Sequence, residues 1–138
     1  MDLLERYRIE EAGFHPFLIR DSWQVGKLNY NVAEHHINNL SRLTIHHHTD
    51  RALSLLKGKG VLITVGDNDN HNIMVMERGT AYNIPKNNGY AIVMQKGGEL
   101  FSVERPNTHT NDTTHQYLDK EQVKTIQEHI YQALKDQP

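Results

Sequence analysis

The sequence predicts an all-β fold, a sandwich or barrel, followed by one C-terminal amphipathic α-helix. Two observations carry this. Short runs of β-branched and aliphatic residues recur from Phe17 to Glu104, each bounded by turn-forming residues, as in sandwiches and barrels. Beyond Asp119 the period changes, and Val123, Ile126, Ile130 and Leu134 fall on one helical stripe. The 138 residues suit a single domain, 1–138, with the barrel core over about 17–105 and the helix over about 119–135.

Residues 1–12 mix charges with scattered apolar positions and read as a short helix or an irregular arm. Gly13 and Pro16 punctuate the chain before two strands, Phe17–Arg20 and Trp23–Tyr30. Asn29–Asn39 is rich in Asn and His and reads as a loop, with His35 and His36 solvated. Leu40–His48 resumes a strand pattern, and Leu53–Lys57 and Gly60–Val65 follow around Gly58-Lys59. Gly66-Asp67-Asn68-Asp69-Asn70 is a turn, because Gly, Asn and Asp tolerate the backbone angles it needs. Strands are expected at Asn72–Glu77, Ala81–Ile84 (stopped by Pro85), Tyr90–Gln95 and Glu99–Glu104. Asn107–Thr114 is polar and reads as loop. Asp119 is the expected N-cap of the last helix, with Gln122 as its capping-box partner.

Composition removes several classes of function. No cysteine is present, so disulfides, thiolate metal sites and cysteine nucleophiles are excluded, and a reducing cytoplasm is compatible. The first residues lack a basic start and an apolar block, so no signal peptide is expected, and no run is long enough to span a membrane. A cytoplasmic location follows as the expectation. The net charge of -2, with acids and bases interleaved, gives no basic stripe for nucleic acid. There is no phosphate-binding loop and no Gly-x-Ser-x-Gly elbow. Ten histidines are the compositional oddity.

Three of them stand together at His46-His47-His48. On a strand, His46 and His48 share one face and His47 takes the other. Two imidazoles two residues apart can reach one ion. His47, His71 and His129 read as surface residues, and Trp23 and Tyr30 as core or pocket wall.

Two motifs at this separation resemble the cupin superfamily, in particular its small single-domain bacterial members. The first is His46-His47-His48-Thr49-Asp50-Arg51, an apolar run from Ala52 to Lys57, then Gly58. The second is Gly79, five residues, Pro85, then Lys86-Asn87-Asn88-Gly89-Tyr90. The resemblance covers about Leu40–Glu104 and implies a double-stranded β-helix, the cupin jelly-roll barrel, and a homodimer.

It also implies a metal site of three histidines and a glutamate, and here the chain departs from the pattern. Arg51 stands where that glutamate is expected and Tyr90 where the third histidine is expected. Only His46 and His48 remain as ligands. Asp50, of the same strand parity, is a substitute carboxylate, and His109 or His115 a substitute imidazole. A divalent ion (Fe, Mn, Zn or Ni) is therefore a candidate cofactor with half its usual ligands.

Arg51 and Tyr90 read differently as a guanidinium fork and a phenol at the barrel mouth. Together they suit a carboxylate, a phosphate or sugar hydroxyls. The expected ligand pocket is thus His46, His48, Arg51 and Tyr90. Three functions stay open. The first is binding of a small polar molecule, a sugar or carboxylate, at a degenerate metal site. The second is a metal-dependent isomerase or dioxygenase using His46, His48 and a replacement carboxylate. The third is a dimeric scaffold or regulator. Whether the chain is an enzyme is not decided by these residues.

Overall fold

The computed structural model describes residues 3–66, 70–107 and 112–137. Among these described residues, ten strands form two antiparallel sheets of five. In chain order they are β1 (Gly13–Ile19), β2 (Gln24–Asn29), β3 (Arg42–His46), β4 (Arg51–Lys57) and β5 (Gly60–Val65). β6 (His71–Val75), β7 (Ala81–Ile84), β8 (Tyr90–Met94), β9 (Glu99–Glu104) and β10 (Thr113–Tyr117) complete the set. The first sheet runs β1-β2-β9-β4-β7 and the second β10-β3-β8-β5-β6. Two facing antiparallel sheets with one C-terminal helix make a jelly roll, as the strand pattern predicts.

Alternation places the core. On β9, Leu100, Ser102 and Glu104 point inward while Phe101 and Val103 point out. Leu28, Leu53, Leu55, Leu62, Ile92 and Leu100 meet between the sheets. The continuous apolar run of β5 has a different cause. Leu62 faces the interior, whereas Val61 and Ile63 face outward and are covered by α2 (Lys120–Lys135). A strand buried on both faces loses its period of two. Ile126 and Ile130 of α2 are fully buried in this second cluster with Leu43 and Val93. Asp119 caps α2 with Gln122 in the expected capping box. Among the described residues, no helix is long and apolar enough to cross a membrane.

The first strand starts at Gly13 and runs through Pro16, instead of starting at Phe17. Three further readings of the sequence need correction. Residues 32–39 carry a one-turn helix, α1 (Val32–His35), and a 3-10 turn instead of an open loop. Asn31 starts α1 by accepting from the Ala33 backbone N–H. β10 arises inside and beyond the stretch read as loop, pairing with β3 at the sheet edge. Its side chains are mostly exposed, so no apolar alternation marks it. Trp23 lies just before β2 and is 41% exposed, so it is not a core residue.

Candidate functional site

The candidate site sits where four strands begin or end at one end of the sandwich. His46 closes β3, Arg51 opens β4, Tyr90 opens β8 and Glu104 closes β9. Arg51 and Glu104 lie on neighbouring strands of the first sheet, and His46 and Tyr90 on neighbouring strands of the second. All four are buried, and all line a cavity of about 370 Å³ between the sheets.

Hydrogen bonds link these side chains across the sheets in one direction. Arg51 Nε donates to Ser102 Oγ at 2.8 Å, and its Nη1 donates to the Tyr90 hydroxyl. That hydroxyl, 2.8 Å from His46 Nε2, has the imidazole as the partner for its own proton. His46 Nε2 therefore accepts, which puts the ring proton on Nδ1, 3.0 Å from Thr113 Oγ1. The tautomer is assigned from this network. Burial is the main influence holding the His46 pKa below its ordinary value, with Arg51 adding to it and Glu104 opposing it. His46 is thus a neutral imidazole with both nitrogens occupied. Burial likewise raises the Tyr90 pKa, against a lowering by Arg51, so the phenol keeps its proton.

Glu104 balances the guanidinium. Its Oε2 lies 3.8 Å from Arg51 Nε and 3.9 Å from His46 Nε2. Gln24, itself buried, donates to Oε1 at 3.1 Å. Oε2 has no hydrogen-bond partner among the described residues. The Arg51 guanidinium also lies over the Phe14 ring, 5.1 Å from its centroid. Gly26 makes this possible, because a Cβ there would meet Phe14 at 2.3 Å.

His46, Arg51 and Tyr90 come together, but His48 does not join them. β3 ends at His46, and the His48 backbone N–H is taken by Asp112 Oδ2 at 2.9 Å. The His48 ring, 80% exposed, pairs with the same carboxylate outside the cavity. Strand parity cannot be extended past the last strand residue, so the two imidazoles part. Asp50 is exposed and points away, accepting from the Lys86 backbone N–H and from Asn83 Nδ2. His109 lies outside the described residues. His115 reaches the cavity mouth from β10, 3.5 Å from Thr44 Oγ1. His47 faces outward to Asn87 and Thr114.

A divalent ion does not fit the residues that remain. Among the described residues, no three His, Asp or Glu side chains come together to hold one. The imidazole of His46 has no free lone pair, and Arg51 already occupies the space beside Glu104 with a positive charge.

Two residues were missed in the sequence. Glu104 had a signal, since it shares the inward parity of Leu100 and Ser102, and a carboxylate on a buried face is worth a role. His35 had none. Expected to be solvated, it is instead buried at the end of α1 and lines the cavity. Its ring accepts the Asn31 backbone N–H at Nδ1 over 2.9 Å, and burial lowers its pKa.

No family model matches this chain, and no curated protein matches it. Solved structures do. Pac13, described as a nucleoside dehydratase, is 13% identical, with 83% of this chain and 88% of Pac13 covered and a TM-score of 0.58; a related structure names its source as Streptomyces. BH2720 of Bacillus halodurans is 18% identical over 85% of each chain, with a TM-score of 0.54. An RmlC-like cupin from Desulfovibrio desulfuricans is 16% identical over 77% of this chain and 94% of that one, with a TM-score of 0.49.

Proposed function

For this chain, which has the cupin jelly-roll fold, we propose that the cavity between the sheets binds a small polar ligand, a sugar or a carboxylate, without a metal. The single observation that carries this reading is Arg51. Its guanidinium is buried, fixed by Ser102, Tyr90 and Phe14, and balanced by Glu104. Burying a cation costs several kcal/mol even when it is paired, which a purely structural core would avoid by using apolar side chains. Ligand sites commonly combine an apolar wall with a few fixed polar groups of this kind.

The test is calorimetric titration with sugars and sugar acids, comparing the native chain with Arg51→Met. Saturable binding that weakens at least ~10-fold in the variant is expected. The reading fails if no compound binds at millimolar concentration, or if the variant binds as well. Iron, manganese, zinc and nickel ions are expected to leave the melting temperature unchanged, because a specific ligand would raise it.

A second reading rests on the unpartnered Glu104 Oε2. A buried carboxylate facing a cavity can take a proton from a bound C–H group. Pac13, similar in fold, is a nucleoside dehydratase, so proton-transfer enzymes occur on this scaffold. Exchange of ligand C–H protons with D2O, followed by NMR and lost in Glu104→Gln, is the outcome that would establish it; absence of exchange in the native chain excludes it.

A homodimer belongs to the same proposal. The outer face of the first sheet leaves Phe101 39% and Val103 43% exposed, which supports pairing there. Sedimentation velocity at micromolar concentration decides it, with a single monomer boundary refuting the pairing.

A further inference from the structure

The polar atoms lining the cavity divide into those already paired and those left for a ligand. His46 uses both nitrogens, and Tyr90 gives its proton to His46 while accepting from Arg51. Among the buried lining residues, three groups remain. Glu104 Oε2 is an acceptor with no partner among the described residues, on a side chain only 4% exposed. Arg51 Nη2 is a donor, since the guanidinium spends Nε on Ser102 and Nη1 on Tyr90. The third is His35. Its Nδ1 accepts from Asn31, so its proton is on Nε2. The nearest carboxylate oxygen, Glu34 Oε2, is 3.8 Å away, beyond hydrogen-bond reach.

The formal charges around these groups cancel. Arg51 and Glu104 offset each other inside, and the other two charged lining residues, the exposed Arg42 and Glu34, carry opposite signs. Burial holds the pKa of all three lining imidazoles, His35, His46 and His115, below the ordinary value, which favours their neutral forms. An entering carboxylate or phosphate would find no unbalanced cation and would face Glu104. A hydroxyl, by contrast, donates to Glu104 Oε2, while further oxygens accept from Arg51 Nη2 and His35 Nε2. Phe14, Leu28 and Ile92 supply an apolar wall for a C–H face. The cavity is at the small end of the usual ligand-pocket range, roughly 300–1,000 Å³.

We propose that the occupant is an uncharged polyhydroxylated ring, a neutral sugar as opposed to a sugar acid or sugar phosphate, and that His35 is a specificity-determining residue donating to one of its oxygens. This rests on the ligand-binding reading above and selects within it.

The experiment is a matched titration by calorimetry. D-glucose, D-galactose and D-ribose are compared with D-glucuronate, D-galacturonate and D-ribose 5-phosphate. At least one neutral sugar is expected to bind ~10-fold or more tightly than its charged counterpart. In His35→Phe that affinity should fall ~10-fold, and in His35→Gln, which keeps a donor, it should stay within ~3-fold. A charged compound binding as tightly as its neutral match overturns the proposal while leaving the ligand site intact. So does an unchanged affinity in His35→Phe. Failure of all six compounds to bind removes the ligand-site reading itself, and this proposal with it. The native-chain comparison stands even where a variant does not fold.

Discussion

Tyr90 is the residue on which the two sheets are joined at the open end of the sandwich. Its hydroxyl accepts from Arg51 of the first sheet and donates to His46 of the second. Tyr90→Phe keeps the ring and removes both bonds, leaving two buried groups without a partner. A loss of about 1–3 kcal/mol in urea unfolding is expected. Arg51→Met should cost more, about 3–5 kcal/mol, because it leaves the Glu104 carboxylate buried with its cation removed. If Tyr90→Phe proves the more damaging of the two, the ion pair is not what the hydrogen-bond chain supports. His46, Arg51 and Tyr90 were legible because two short motifs fix them to strand ends. His48 was misplaced because an alternation rule was carried two residues past the end of β3. The capture of its backbone by Asp112, 64 residues away, has no signature in the sequence.

Gly58 joins β4 to β5 and shows why the elements around the site hold their register. Its φ of 74° lies in the left-handed region, and a Cβ there would sit 2.9 Å from Gly98 Cα. The positive φ alone costs an alanine about 1–2 kcal/mol, and the neighbouring atom is backbone that cannot rotate away. Gly58→Ala should therefore lower stability by more than about 2 kcal/mol in thermal unfolding; a cost below 1 kcal/mol would mean that the two turns shift apart freely. On α2, Ile130 is fully buried against the second sheet, and Ile130→Ala is expected to cost about 2–5 kcal/mol by the same measurement. A cost near that of a surface residue would show that α2 is not needed to cover β5. The helix was legible from its stripe and its cap, and most strands from their punctuation. β10 was not, because an edge strand with exposed polar side chains has no periodic signal. α1 was not, because a single turn held by Asn31 is too short to show a helical period.

For the molecule as a whole, the two buried histidines that line the cavity shape how stability responds to acid. His35 and His46 both have pKa values below the ordinary 6.5, in each case chiefly through burial. The unfolded chain then binds protons that the folded chain refuses. Stability from these groups is fully present above about pH 6.5 and is lost as pH falls toward their folded values. Each histidine contributes a slope of at most about 1.4 kcal/mol per pH unit within that window. Asp50 and Asp112 act lower on the scale. Backbone hydrogen bonding from Lys86 lowers Asp50, and for Asp112 the bonds from His48 outweigh the opposing effect of burial. Their contribution is present above the ordinary 3.8 and disappears below it. Two falls are thus expected in urea unfolding between pH 8 and pH 3, the first beginning near pH 6.5. The first should be shallower in His35→Gln, while the second should be unchanged. A neutral ligand should deepen the first fall, because it prefers the same unprotonated cavity that the folded chain already favours. If stability instead rises from pH 7 to pH 5, the imidazoles carry charge in the folded state, and the balance of charges that favours an uncharged occupant is lost.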